Sequence, residues 1–174
     1  RGLGDVYKRQ VWNDSRTLTD IYAQRLDEMG RPYWAENGIV VFHDYSYQYR
    51  VKAVSDGAGG FIAVWEDARG EVQWDIYAQR VDAGGNLLWP EGGVAVCAAV
   101  DDQNYLEICS DGANGCIVTW VDERDSSIRD DIYAQRIGAD GTPLWATDGV
   151  AVCTADSTQF EPRIVSDGSG GAVI

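Results

Sequence analysis

The sequence predicts an all-β chain in which a unit of 55 or 56 residues recurs, each unit a four-stranded antiparallel sheet. Two recurrences and one pattern point there. Asp-Ile-Tyr-Ala-Gln-Arg occurs at Asp20–Arg25, Asp75–Arg80 and Asp131–Arg136, in steps of 55 and 56 residues. Ser-Asp-Gly begins at Ser55, Ser110 and Ser166 with the same steps, which Trp34, Trp89 and Trp145 also keep, as do Gln48, Gln103 and Gln159. Between these markers lie short apolar runs bounded by Gly, Asp and Asn, the pattern of strands joined by tight turns.

The middle unit shows each strand in order. The first is predicted at about Tyr49–Val54 and enters the turn Ser55–Gly60. The second, Phe61–Trp65, is apolar throughout, as burial on both sheet faces requires. The third, Asp75–Asp82, puts Ile76, Ala78 and Arg80 on one face and Tyr77, Gln79 and Val81 on the other. Ala83-Gly84-Gly85-Asn86 makes a turn, and the fourth strand is Gly93–Cys97, which returns as Gly149–Cys153.

Four strands per unit, repeated head to tail and buried on both faces, match a β-propeller blade, and such rings close with about 4–8 blades. The chain therefore reads as a partial propeller and a fragment. Residues 11–48 hold strands two to four of a first blade, 49–103 a second blade, 104–159 a third, and 160–174 the start of a fourth. The first ten residues, RGLGDVYKRQ, break the pattern where a Ser-Asp-Gly turn is due. They resemble read-through of a sequencing adapter and are given no function.

Composition narrows the function. With 174 residues, 45% of them hydrophobic, the chain can bury a core. A net charge of −14 with only Lys8 and Lys52 as lysines argues against a nucleic-acid surface. No run is long enough for a membrane span. The single histidine, His43, leaves no multi-histidine metal site, and the four cysteines lack CxxC spacing. Cys109 and Cys116 flank one turn, as buried thiols or, in an exported protein, as a cross-strand disulfide.

Residues that recur in every unit are expected to hold the fold. Trp12, Trp65 and Trp120 end the second strands, and Trp34, Trp89 and Trp145 precede the fourth; both sets read as core between blades. Asp56 should pair with Arg80, and Asp111 with Arg136, as structural ion pairs. The pattern Trp-x-Asp-x-Arg, at Trp12–Arg16, Trp65–Arg69 and Trp120–Arg124, opens the loop between the second and third strands. Its acids and bases form a loop-fixing salt bridge or, alternatively, contact a polar ligand or Ca2+, although these loops lack EF-hand spacing.

Loop length points to a binding rim. Only the stretch from the second-strand Trp to the third strand varies, at 8, 10 and 11 residues. Variable loops on a fixed scaffold are where binding surfaces are built. That rim offers Asp67, Arg69, Asp122 and Arg124, then Gln103 and Gln159, the off-repeat Trp74, and Tyr45 and Tyr47 beside His43. Aromatics with amides and carboxylates suit a glycan or peptide. No catalytic or metal-ligating residue is assigned. Glu71 and Asp125 are loop carboxylates outside the repeat, and nothing ties them together.

The strings SDGxGGxIVxWxDxR, DIYAQRxDxxGxxLW and GVxVC, spanning Val11–Ile174, resemble a tandem repeat of large secreted or cell-surface bacterial proteins that often end in a type IX sorting domain. The resemblance implies export and propeller-like architecture and carries over no catalytic residue. The expected function is a non-catalytic extracellular module for adhesion or for binding glycan or protein. The alternatives are a propeller-type carbohydrate-active enzyme, such as a sialidase or a polysaccharide hydrolase or lyase, and a purely structural spacer. Sialidase Asp boxes do not fit, because Ser55 and Asp56 are adjacent and Trp65 comes ten residues after Ser55.

Overall fold

The computed structural model describes residues 8–16, 19–69, 73–124 and 129–174. Glu71 and Asp125 lie outside them. The described residues form thirteen strands and no helix. Strands β1 (Lys8–Asp14), β2 (Asp20–Leu26) and β3 (Ile39–Phe42) make a three-stranded antiparallel sheet. Strands β4 (Gln48–Ser55), β5 (Phe61–Asp67), β6 (Asp75–Val81) and β7 (Val94–Cys97) make a four-stranded one. Strands β8 (Gln103–Ser110), β9 (Cys116–Asp122), β10 (Asp131–Ile137) and β11 (Val150–Cys153) repeat it, and β12 (Val165–Ser166) pairs with β13 (Ala172–Val173). Each sheet is a meander in chain order, and none closes on itself.

The repeat dictates register as well as strand number. Asp67 stands opposite both Gln48 and Asp75, and Asp122 opposite both Gln103 and Asp131. This pairing carries the second strands two residues past Trp65 and Trp120. The fourth strands start one residue later than their apolar runs because Gly93 and Gly149 have positive φ. There a side chain would also collide: a Cβ on Gly149 would lie 2.6 Å from the Trp120 ring. Strand β1 begins at Lys8, inside the stretch that breaks the repeat, and pairs with β2 up to Leu26. Main-chain pairing does not depend on that stretch matching the repeat.

Every residue of β5 and β9 is buried; the apolar run Phe61–Trp65 requires it in β5, and in β9 the interrupting Thr119 donates its hydroxyl to the Tyr133 carbonyl. Successive sheets pack face to face, and their first strands run beside one another, β4 against β8 and β8 against β12. Phe42 stacks on Trp65 at 5.3 Å between the first two sheets. Trp89, Val96, Cys97, Leu106, Trp120 and Tyr133 belong to the core between the next two. Trp65 and Trp120 are fully buried and Trp89 nearly so, whereas Trp145 is 37% exposed. Long polar reaches reinforce the stacking: Arg25 donates to the Ala83 carbonyl, and Arg80 and Trp89 both donate to that of Ala139.

All four cysteines are free thiols. Cys109 pairs with Ile117, and Cys116 with Ser110, which puts the two cysteines on opposite faces of their sheet rather than across from each other. Burial pushes the Cys97 thiol up to about 12.

Candidate functional site

The recurring polar residues are consumed in two networks. In the first, Asp67 accepts from the Trp65 indole at 2.7 Å and takes Arg69 Nε and Nη2 at 3.0 and 2.7 Å. Arg69 then reaches the Gly92 carbonyl and lies over the Tyr77 ring at 3.6 Å. Asp122, Arg124, Tyr133 and the Asp148 carbonyl repeat the arrangement, as do Asp14, Arg16 and Tyr22. The strand-end Trp-x-Asp-x-Arg is thus a clamp that fastens the loop after the second strand to the turn before the fourth. The carboxylates of Asp67 and Asp122, buried and directed at Trp and Arg, face inward rather than toward the rim surface.

The second network closes the Ser-Asp-Gly turn. Asp56 accepts from the Ala58 and Gly60 amides and from Arg80 at 2.8 and 3.0 Å; Asp111 does the same with Ala113, Gly115 and Arg136. Burial alone would raise the Asp111 pKa, but these donors outweigh it and hold the carboxyl below the usual range.

Gln103 is fully buried, its amide nitrogen bonded to the Val100 and Asp101 carbonyls. Its backbone N–H meets the Trp74 carbonyl, and that of Gln159 meets the Asp130 carbonyl, in the same way. These glutamines hold the connection between units. Tyr45 and Tyr47 are exposed, with Tyr45 beside His43 and His43 Nδ1 3.2 Å from Asp20.

Trp74 behaves differently. It lines an open cavity of about 460 Å3 with Tyr49, Arg50, Glu66, Asp102, Asn104, Tyr105 and Glu123, between the second and third sheets. Not one of these eight positions keeps its residue type in the neighbouring unit. Tyr49 corresponds to Asn104 and then Phe160, and Arg50 to Tyr105 and then Glu161. Glu66 corresponds to Val121, Trp74 to Asp130, Asp102 to Tyr47, and Glu123 to Ala68. A repeating scaffold therefore carries a cavity made wholly of residues that do not repeat.

Local structure aims these side chains. A bulge interrupts β4 between Tyr49 and Lys52, and β8 between Asn104 and Glu107. Arg50 and Tyr105 sit at the bulges with φ of 48° and 56°, a left-handed conformation that is costly for side chains of this size. Arg50 lies over the Tyr105 ring at 4.0 Å and reaches Glu66 at 3.3 Å. Glu66 also accepts the Tyr105 amide at 2.7 Å. Trp74 packs edge-on to Tyr49 at 5.3 Å, and its backbone N–H donates to Asp102 at 2.8 Å.

Among the described residues that line the cavity, Arg50 is the one cation beside three acidic residues, Glu66, Asp102 and Glu123. Burial raises the pKa of Glu66 against the pull of Arg50. Burial also raises that of Glu123, and the surrounding carboxylates of Asp102, Asp130 and Asp101 add to it. Among the described residues no group of three or more His, Cys, Asp and Glu side chains is placed to hold a metal ion.

Sequence reasoning found Trp74 because it stands off the repeat. It missed Tyr49, Arg50, Glu66, Asp102, Asn104, Tyr105 and Glu123 because it followed residues that recur. The signal was the opposite one, positions that fail to recur when the units are aligned.

Comparison with protein-family models, curated proteins and solved structures gave no match. No helix among the described residues is long and apolar enough to cross a membrane.

Proposed function

We propose that this chain is part of a non-catalytic, extracellular β-propeller module whose ligand, a glycan or a protein, binds at the Trp74 cavity. The observation that carries the reading is the division of labour just described. Recurring polar residues are spent on clamps and turns, while the Trp74 cavity is lined by residues that differ from unit to unit and combines aromatic walls with polar groups, the composition of a binding site. Propeller geometry is supported by the stacking, in which first strands neighbour one another from sheet to sheet. The extracellular setting rests on the resemblance of the repeat to secreted and cell-surface proteins.

A second reading, the scaffold of a carbohydrate-active enzyme, draws on Glu66 and Glu123, two carboxyls of raised pKa in one cavity. Glycoside hydrolysis uses such a pair. Glu66, however, already accepts from Arg50 and from a backbone amide, as a structural carboxylate does.

The test is binding to glycan and peptide arrays by the wild-type chain and Trp74→Ala. Loss of the bound signal in the variant supports the reading; equal signals from both proteins, or none from either, overturn it.

A further inference from the structure

We infer that the Trp74 cavity takes the basic side chain of a polypeptide, a lysine ammonium or an arginine guanidinium. This rests on the binding reading above and names the ligand chemistry. Three features select a cation. Trp74 and Tyr49 line the cavity with ring surface, which attracts a positive charge through the ring quadrupole, as the Tyr105 ring already holds the Arg50 guanidinium at 4.0 Å. Three carboxylates and one guanidinium line the cavity, and the charges that act on Glu123 are all carboxylates. Glu123 also stands where the neighbouring unit has Ala68, and Trp74 where it has Asp130, so this particular combination of residues belongs to one cavity.

The surroundings select a polypeptide over a uniformly cationic polysaccharide. Arg50 and Tyr105 also line a second cavity of about 360 Å3, which continues along β4 and β8. Lys52, Glu107 and Arg163 stand there at equivalent positions of three units, with Glu107 2.6 Å from Lys52 and 3.0 Å from Arg163. A groove of alternating sign repels a chain of amino sugars and accepts a peptide that offers one basic residue to the Trp74 cavity and mixed side chains beyond it.

The experiment titrates the chain with acetyl-Gly-Lys-Gly-Glu-amide, with its norleucine analogue, and with glucosamine and N-acetylglucosamine hexamers, followed by tryptophan fluorescence and calorimetry. The lysine peptide should bind roughly tenfold more tightly than the norleucine peptide, and added salt should narrow the gap. Glu123→Gln and Tyr49→Ala should each remove most of that preference. Glu28→Gln, the same charge change in an exposed turn at the far end of its sheet, should leave it intact, and circular-dichroism melts establish that each variant is folded. Equal binding of the two peptides, or no binding of the lysine peptide, overturns the inference. Tighter binding of the glucosamine hexamer overturns the choice of polypeptide. Binding of the N-acetylated hexamer that needs Trp74 but not Glu123 overturns the cation and leaves the binding reading standing. No binding of any probe, together with blank arrays, overturns both.

Discussion

Asp111 shows what a recurring residue does. Its carboxylate is buried, accepts two turn amides and holds Arg136 with two bonds to one oxygen. Asp111→Ala leaves those donors without an acceptor and should cost roughly 1–3 kcal/mol in urea denaturation. An unchanged midpoint would mean the pair is ornamental. Asp75 sets a contrast. Half-buried and surrounded by Asp67, Asp148 and Asp102, it is pushed up to about 6 by burial first and those charges second, with Arg69 opposing. The folded chain therefore holds that proton at pH values where the unfolded chain has lost it, and Asp75 makes stability fall as pH rises from about 4 to about 6. Asp75→Asn should flatten that slope and raise stability at pH 7 by about 1 kcal/mol, allowing for solvent screening of a half-exposed group. A slope identical to that of the wild type, measured by melts across this range, would contradict the assignment.

At the scale of elements, the glycine before each fourth strand governs how closely the sheet packs on its own tryptophan. Gly149 has a φ of 90°, and a Cβ there would lie 2.6 Å from the Trp120 ring and 2.8 Å from the Ala134 carbonyl. Neither neighbour is a flexible chain end, so Gly149→Ala should cost roughly 3 kcal/mol from backbone strain and overpacking together. A thermal midpoint within a degree or two of the wild type would show that the strand edge yields instead. The strands themselves were legible in the sequence. The unbroken apolar run of β5 announced burial on both faces, and the Gly-rich turns marked the hairpins. The two-residue extension to Asp67 was not legible, because it depends on pairing with Gln48 and Asp75. The bulges at Arg50 and Tyr105 were also hidden, since nothing in those side chains asks for positive φ.

At the scale of the whole molecule, repetition and its failure separate holding from binding. The recurring tryptophans were legible as core, and the structure buries Trp65, Trp89 and Trp120 accordingly. Trp145, expected in the core with them, remains 37% exposed. The cavity was legible only at Trp74, because its other walls come from two units and meet only when the sheets stack. The most direct measurement compares Trp74→Ala with Trp120→Ala, recording the denaturation midpoint and the array binding of each. The change at Trp74 should abolish binding and leave the midpoint nearly unmoved, while the change at Trp120 should cost roughly 3–5 kcal/mol. A large drop in midpoint for Trp74→Ala with binding retained would contradict that expectation, and would place that ring among the residues that hold the sheets together.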